Sequence, residues 1–234
     1  MKILFVAAEA MEFEGMLARA NGVERAAIGD WARRCRIGEH DALLVANGAG
    51  RKRAAAAAEA GIAAWGPEAV VSTGFCGALD ERLGIADVVV GTEIIGCASP
   101  VTTGRACPAP TGATRQVAGA IHSSDHIART AQEKAKLRAT GAVAVEMEAA
   151  GIAESTLKCA LPFYCVRAVT DLAGESLAND FGAALRSDGH FDTMRILTGA
   201  LRHPSTRVPE LFRLRSRCKR AARALGDFFA VCGF

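Results

Sequence analysis

Short apolar segments, each ended by Gly, Pro, Asn or a charged residue, recur along the chain and restrict how it can fold. They lie at 2–8, 41–48, 68–74, 85–94, 117–124, 142–146 and 162–171. Their lengths and β-branched content are typical of strands covered on both faces, as in a mostly parallel sheet. Helical patterns lie between them, the clearest at 51–65, 127–139, 147–160 and 189–202. This alternation predicts a layered α/β fold that binds ligands near the carboxyl ends of its strands.

The size and composition of the chain fit one large globular domain with a tail. It has 234 residues, of which 50% are hydrophobic and 23% are charged. No apolar run is long enough to cross a bilayer. Three glutamates, Glu9, Glu12 and Glu14, follow the first apolar segment too early for a secretory signal. We therefore expect a cytoplasmic protein.

Neither the cysteines nor the histidines predict a metal site. The eight cysteines are scattered without a C-x-x-C pair, and the five histidines lack the spacing of ligands. Reduced thiols in a cytosolic protein fit this pattern best, and we expect no metal and no cofactor. The segment 97–115 is rich in Pro, Gly and Thr without a period, which predicts a long surface loop at a site or a subunit contact.

The C-terminal segment carries an unusual charge. Residues 201–234 hold eight Arg or Lys against one Glu and one Asp, a net charge of +6 in a chain whose total is +3. From Pro204 onward, apolar residues recur at steps of three and four opposite basic ones, which predicts a basic amphipathic helix. The predicted organisation is a catalytic domain at 1–203 and a helical tail at 204–234.

Two glycine turns follow strand segments. The first, "NGAGRKR" at 47–53, opens a helix where a phosphate could bind, but Arg53 occupies the third glycine position of a dinucleotide motif. The second, "STGFCGAL" at 72–79, contains Gly74 and would let a ligand approach the backbone, or would only form a turn.

Taken together, these segments resemble the purine nucleoside phosphorylase and methylthioadenosine/adenosylhomocysteine nucleosidase superfamily. The matching landmarks, in order, are "KILFVAAEAMEFEGML", "NGAG", "STGFCGALDERLGIADVVVGTEI", "SSDHIA", "AVEMEAAGIA" and "FYCVRAVTD". The resemblance implies a three-layer α/β sandwich around a mostly parallel mixed sheet, here with an added C-terminal amphipathic helix. It also implies cleavage of a nucleoside N-glycosidic bond through an oxocarbenium-like transition state.

The resemblance assigns the ribose to "VEMEAAGIA". Glu148 corresponds to the carboxylate that accepts hydrogen bonds from the ribose hydroxyls, and Met147 packs against the sugar. An ionised carboxylate there favours the positive charge that develops on the ring. Glu146 is expected to point elsewhere. We predict that it pairs with Arg167, which we also place among the substrate-binding residues.

Base recognition is assigned to the end of "VRAVTD". Asp171 corresponds to the residue that protonates or hydrogen-bonds N7 of the leaving purine, and an Asp there implies adenine. Such an acid contributes about 10²- to 10⁴-fold to the rate. Thr170 retains a hydroxyl where nucleosidases usually have Ser. Ile127, in "SSDHIA", takes the place of a base-stacking aromatic residue.

The resemblance leaves water and phosphate open as the nucleophile. Nucleosidases carry a Glu in the first helix that activates water, and aligning "AMEFEGML" places Glu14 there, with Glu12 as the alternative register. Phosphorylases instead use an Arg two residues before the glycine and a Ser after it.

At those two places this chain has Ser72 and Phe75, although Arg51 or Arg53 could hold a phosphate in their stead. We favour hydrolysis. Phe75 also departs from the Ser that is usual in both branches, and it makes the pocket more apolar.

The tail resembles that of the hopanoid-associated phosphorylases, which are thought to release adenine from adenosylhopane. A basic amphipathic helix could bind a membrane surface, or pack against another part of the protein or a partner chain. Nucleic acid is disfavoured because no aromatic residues interleave with the basic ones.

Three alternatives stay open: a methylthioadenosine/adenosylhomocysteine nucleosidase, a phosphate-dependent phosphorylase and a non-catalytic nucleoside-binding module. The predicted partners are an adenine nucleoside, a second copy of the chain in a dimer, and the inner face of the membrane.

Overall fold

The computed structural model describes residues 1–97, 100–104 and 115–233. Within this part of the chain, ten strands form one sheet. They are β1 (Lys2–Ala7), β2 (Asn21–Arg25), β3 (Trp31–Ile37), β4 (His40–Ala46), β5 (Ala69–Ala78), β6 (Val88–Ile95), β7 (Val101–Thr102), β8 (Gln116–Ser123), β9 (Ala144–Glu146) and β10 (Phe163–Asp171).

The sheet mixes parallel and antiparallel neighbours and partly closes on itself. Its order is β10-β6-β8-β9-β5-β1-β4-β3-β2, and β7 pairs with β6. Strand β10 also pairs with β5 in parallel, so that β5, β10, β6, β8 and β9 complete a ring. The ring brings the carboxyl ends of β5 and β10 together, and both ends contribute to the site described below.

Helices cover both faces of the sheet. They are α1 (Glu14–Leu17), α2 (Arg51–Trp65), α3 (Ala131–Arg138), α4 (Ala149–Lys158), α5 (Phe181–Ala184), α6 (Thr193–Leu201) and α7 (Pro204–Phe229). A 3-10 turn, Ala10–Phe13, precedes α1. Within these described elements, none of the helices is both long and apolar enough to cross a membrane.

Alternating side chains of the central strands enter two hydrophobic clusters. Leu4 and Val6 of β1 belong to the cluster beneath α2 and α4. On the opposite face of the sheet, Phe5 of β1 packs with side chains of α1 and α7. Helix, sheet and helix therefore form three layers, and the predicted α/β architecture is confirmed.

Helix α7 is part of this second cluster. Its last turns bury Ala221, Leu225, Phe228 and Phe229, and the ring centroids of Phe5 and Phe229 lie 5.0 Å apart. The predicted boundary at residue 203 therefore does not separate two hydrophobic cores. The apolar stripe of α7 was recognised from the sequence, but much of it covers the sheet.

The sequence analysis missed the hairpin of β2 and β3. All five residues of β2 are exposed, and arginines interrupt the alternation in β3, so neither strand gives a clear signal of a buried face. The predicted loop at 97–115 lies largely outside the described residues, as does Cys107. Its described part includes the two-residue strand β7.

Candidate active site

A cavity of about 380 Å³ lies between the carboxyl ends of the central strands and helices α5, α6 and α7. Four of its walls come from the 3-10 turn after β1, the end of β5, the junction of β9 with α4, and the end of β10. Six predicted site residues line it, namely Phe75, Ile127, Met147, Glu148, Thr170 and Asp171. Three others, Glu14, Gly74 and Arg167, are not among its lining residues.

Glu146 is buried at the end of β9 and organises the start of α4. Its Oε2 accepts the backbone N–H groups of Glu148 at 2.9 Å and Ala149 at 2.8 Å. The same oxygen lies 2.5 Å from Nη2 of Arg167, so the predicted pair is present. A carboxylate at this helix start is stabilised by the N–H groups that point toward it.

Arg167 lies behind the cavity. Its side chain is completely buried, and it donates to the carbonyl of Thr73 at 3.0 Å and to Oγ of Ser72 at 2.6 Å. Its Nη1 lies 3.4 Å from Oε2 of Glu148. The prediction of direct contact with substrate is therefore wrong for Arg167, which reaches the cavity only through Glu148 and Glu146.

Glu148 presents its carboxylate to the cavity from the β9–α4 junction. Its Oε1 accepts the N–H of Gly50 at 3.0 Å, so the first glycine turn holds this carboxylate. Burial raises the pKa of Glu148 to about 7, and the positive charge of Arg167 opposes that rise.

The structure places Glu12 in the cavity and Glu14 outside it. Residues two apart in a helical turn point to nearly opposite sides, and Glu14, the first residue of α1, is exposed. The predicted position of Glu14 is therefore wrong, and the alternative register at Glu12 fits.

Glu12 is 5% exposed and is held by the backbone. Its Oε1 accepts the N–H of Phe75 at 2.7 Å, and its Oε2 accepts those of Ala8 and Glu9, both at 2.9 Å. Burial raises its pKa, while Arg167 and these hydrogen bonds lower it.

Gly74 lies behind Glu12 instead of facing a ligand, which corrects its prediction. Its φ of +134° is in a region that side chains rarely adopt. A Cβ there would lie under 3.0 Å from Oε1 of Glu12 and 2.9 Å from Nη1 of Arg167. Glycine at this position lets both charged groups approach the strand.

Asp171 is the last residue of β10 and lines the cavity. Its Oδ1 lies 3.1 Å from the hydroxyl of Thr170. Its Oδ2 forms an ion pair with Lys134 of α3, whose side chain is completely buried. The sequence analysis did not identify Lys134. It lies three residues before Leu137, on the same helix face, and that spacing could have indicated a buried position.

An apolar wall of the cavity was also missed. It is formed by Leu177, Phe181, Phe191, Ile196, Leu214 and Cys218. The rings of Phe181 and Phe191 meet edge to face, with centroids 6.4 Å apart. These residues come from the C-terminal third of the chain, and no local pattern associates them with the earlier motifs.

Hydrogen bonds fix this wall beside the glutamates. Ala49 donates its N–H to the carbonyl of Gly189 at 2.7 Å. The neighbouring His190 places Nδ1 3.2 Å from Glu9 and Nε2 2.9 Å from Asp30. Phe191 follows directly, so the wall lies on the side of Glu9 and the first glycine turn.

Helix α7 holds the segment that follows Asp171. Arg217 forms two hydrogen bonds to the carboxylate of Glu175, at 2.6 and 2.9 Å. The carboxylate of Glu210 accepts N–H groups of Ala178 and Asn179. The predicted tail is therefore a structural part of the cavity wall.

The arginines considered for phosphate are directed elsewhere. Arg51 pairs with Glu154 and donates to the carbonyl of Gly96 at 3.3 Å, while Arg53 lies 3.5 Å from Asp30. Neither is among the residues lining the cavity. Ser72 is completely buried beside Arg167.

Known proteins similar to this chain include a curated nucleosidase. The 5′-methylthioadenosine/S-adenosylhomocysteine nucleosidase of Staphylococcus saprophyticus is 27% identical over 178 residues, which is 64% of this chain and 77% of that protein. A curated nucleosidase of the same name from Staphylococcus aureus is 27% identical over 172 residues, 63% of this chain and 75% of that protein.

Two solved structures share the fold. The 5′-methylthioadenosine/S-adenosylhomocysteine nucleosidase of Neisseria meningitidis, in complex with methylthio-immucillin-A, superposes with a TM-score of 0.69 at 20% identity, and 97% of each chain is covered. A futalosine hydrolase mutant of Helicobacter pylori superposes with a TM-score of 0.68 at 16% identity over 97% of this chain and 98% of that one. Since residues 8–190, more than three quarters of the chain, also match the family model described as the phosphorylase superfamily, the chain belongs to that superfamily.

Proposed function

We propose that the protein hydrolyses the N-glycosidic bond of an adenine nucleoside and releases adenine. One observation carries the proposal: a single cavity is lined by Asp171 and by two buried carboxyl groups, Glu12 and Glu148, whose pKa values burial raises. The curated nucleosidases that resemble the chain are named for methylthioadenosine and adenosylhomocysteine, both adenine nucleosides, and this supports the choice of base.

Asp171 acts on the leaving purine in this proposal. It gives a proton to N7 as the bond from the sugar to N9 breaks, and the bonding electron pair goes to the base. The hydroxyl of Thr170 lies 3.1 Å from Oδ1 of this carboxyl group and orients it. Ile127 and Phe75 flank the base as apolar surfaces.

Glu148 and Met147 bind the sugar. As the bond breaks, positive charge develops on the ribose ring, and an ionised carboxylate beside it stabilises that charge. Arg167 and the N–H of Gly50 hold the carboxylate of Glu148 in position. Positioning of this kind costs no reorganisation during the reaction.

Glu12 activates the water that attacks the sugar. Its Oε1 accepts one backbone hydrogen bond, so a lone pair stays available for a water molecule. A base with a pKa raised toward neutrality removes a proton more effectively. We assign this role to Glu12 and not to Glu14, because Glu14 is exposed.

Water fits the site better than phosphate does. A phosphate dianion would lie beside the carboxylates of Glu12 and Glu148, which repel it. Arg51 and Arg53, which could have offset that repulsion, pair with Glu154 and Asp30. Ser72 is bound to Arg167 behind the cavity.

Adenine release in phosphate-free buffer tests this function. The full chain, given 5′-methylthioadenosine or adenosine, should produce adenine and the free sugar, at a rate that added phosphate leaves unchanged. A strict requirement for phosphate, or a sugar 1-phosphate product, would contradict hydrolysis. Tight nucleoside binding without adenine release would indicate a binding module.

The finer proposal is that the 5′ substituent is apolar and that the substrate is an adenosine-headed lipid such as adenosylhopane. The aromatic wall of Phe181 and Phe191 lies on the side of Glu9 and Ala49, next to the sugar-binding glutamate. An apolar group attached to the 5′ carbon would be buried against it.

Exposed apolar residues near this wall support a membrane location. Met194, Leu197 and Leu201 share one face of α6 and are 68%, 47% and 69% exposed, and Phe212 of α7 is 70% exposed. Exposed basic residues accompany them on α7, namely Arg213, Arg215, Lys219, Arg220 and Arg223. Near an anionic surface each contributes about 1 kcal/mol to membrane binding.

Vesicle sedimentation tests the membrane proposal. The full chain should bind vesicles that contain anionic lipid, and Leu197→Asp together with Leu201→Asp should abolish binding while adenine release from adenosine persists. Leu157→Asp, at a residue of α4 that is 53% exposed, is the matched control and should bind normally. Equal binding by all variants would contradict the proposal that Leu197 and Leu201 of α6 contact the membrane. A cytoplasmic location and a homodimer stay predictions, and size-exclusion chromatography with light scattering measures the latter.

A further inference from the structure

Helix α3 buries a lysine directly behind Asp171. The side chain of Lys134 is 0% exposed, and its Nζ pairs with Oδ2 of Asp171 and donates to the carbonyl of Leu172 at 2.8 Å. Removing an ammonium group from water is unfavourable, and its ion pair offsets only part of that cost. Such a group contributes little to stability, which points to a role in the site.

One ammonium fixes both the side chain and the backbone at the end of β10. The pairing of β10 with β5 shifts register between Val169 and Asp171, so the strand is irregular where the acid stands. Lys134 binds the carboxylate of Asp171 and the next carbonyl together. Its contact with Oδ2 leaves Oδ1, beside Thr170, as the oxygen available to a ligand.

Lys134 does not line the cavity, and therefore acts on a ligand only through Asp171. Among the described residues, Lys134 is the only cation recorded in an ion pair with Asp171. Arg217 of α7 also interacts electrostatically with Asp171, but its guanidinium is bound to Glu175. Burial raises the pKa of the nearby thiols of Cys76 and Cys218, so both stay neutral.

We propose that Lys134 is the positioning residue of the leaving-group acid: it orients Asp171 toward the purine and stabilises the carboxylate that remains after proton transfer. This rests on the proposed function. Asp171 first takes a proton from solvent on Oδ1, the oxygen that Lys134 leaves free. This O–H bond then breaks as an N–H bond forms at N7, and the electron pair of the glycosidic bond goes to the purine. The negative charge left on Asp171 then faces the ammonium, which is already in place.

Two substrates with different leaving groups separate this role from a purely structural one. Adenosine needs protonation of its base, whereas 4-nitrophenyl riboside carries a leaving group that departs without it. Lys134→Met should lower kcat for adenosine about 10- to 100-fold, part of the 10²- to 10⁴-fold that a general acid supplies. Its KM for adenosine and its kcat for the nitrophenyl riboside should change less than about twofold.

Two further variants complete the experiment. Lys134→Arg keeps the charge and should restore part of the adenosine turnover, and it serves as the second variant if the Met protein does not fold. Lys136→Met is the matched control, an exposed lysine of the same helix, and should behave as the unmodified chain.

The outcomes are distinct. If the unmodified chain releases adenine and Lys134→Met loses turnover of both substrates equally or of neither, the positioning role is overturned while the proposed function stands. Where the Met protein does not fold, equal loss of both substrates by Lys134→Arg overturns it. Selective loss of adenosine turnover supports it. If the unmodified chain cleaves neither substrate, the proposed function itself fails, and the role of Lys134 fails with it.

Discussion

Nη2 of Arg167 lies 2.5 Å from Oε2 of Glu146, and both side chains are buried, Arg167 behind the cavity and Glu146 at its wall. The pair matters for function because each partner also holds Glu148. The carboxylate of Glu146 accepts the backbone N–H of Glu148, and the guanidinium of Arg167 lies beside the carboxylate of Glu148. A charge pair out of contact with solvent thus sets the position of the proposed sugar-binding group.

Replacing Glu146 by Gln should destabilise the protein strongly. The guanidinium of Arg167 would lose its closest counter-charge, and breaking a buried pair costs about 3–5 kcal/mol. Chemical denaturation measures this loss. Glu154→Gln is the control, since Glu154 pairs with Arg51 at the surface and its loss should cost less than about 1 kcal/mol. Equal destabilisation of the two variants would mean that the buried pair has no special weight.

Replacing Glu12 by Gln should lower adenine release about 10²- to 10⁴-fold, because an amide cannot accept the proton of the attacking water. Its one carbonyl oxygen can keep the N–H groups of Ala8 and Glu9, but its NH2 group then faces the N–H of Phe75, so we expect some loss of stability and compare turnover per folded molecule. Glu14→Gln, at an exposed position two residues later, should leave turnover unchanged. A loss of turnover in the Glu14 variant alone would restore the register expected from the sequence.

The resemblance to the superfamily singled out Glu148, Met147 and Asp171, and the strand ends predicted from local patterns place each within or beside the end of a strand. It could not choose between Glu12 and Glu14, since that choice depends on how a 3-10 turn leaves β1. The choice depends on tertiary structure, because two neighbouring carboxylates give the same local sequence signal.

Contacts between distant segments could not be predicted from the sequence for the same reason. Lys134 meets Asp171 across 37 residues, and His190 meets Glu9 across 181. The wall of Phe181 and Phe191 joins the earlier motifs only when α5, α6 and α7 close over the sheet. Helix α7 itself was predicted correctly as a helix, but its buried partners were not.

The stability of the protein should depend on the protonation of Glu148. Burial raises its pKa to about 7, so between about pH 4.5 and 7 the folded chain keeps a proton that the unfolded chain has lost. Stability therefore falls as the pH rises through this window, by at most about 1.4 kcal/mol per pH unit. Over the same range kcat/KM should rise, because the ionised carboxylate binds the sugar.

Glu148→Gln isolates this effect. It removes the titration while keeping an acceptor for the N–H of Gly50, so its stability relative to that of the unmodified chain should rise steadily from pH 4.5 to pH 7. Denaturant titrations at several pH values measure the difference. A constant difference across the range would show that Glu148 ionises normally.

Replacing Gly74 by Ala should displace Glu12 and lower both stability and turnover. A Cβ there would lie under 3.0 Å from the carboxylate of Glu12 and 2.9 Å from Nη1 of Arg167, two groups that hydrogen bonds hold in place. The backbone at φ +134° is itself strained for alanine. We expect a loss of more than about 2 kcal/mol, as for other substitutions that combine strain and overpacking.

Gly22→Ala separates the strain of the backbone from the contact with Glu12. Gly22 also has a positive φ, +63°, but a Cβ there would meet no atom within 4 Å. This variant should lose about 1–2 kcal/mol and keep full turnover. Turnover per folded molecule, measured for Gly74→Ala and Gly22→Ala, distinguishes the effect of backbone strain from that of the contact with Glu12. If Gly74→Ala keeps full turnover as well, Glu12 tolerates displacement, and its role as the base that activates water is contradicted.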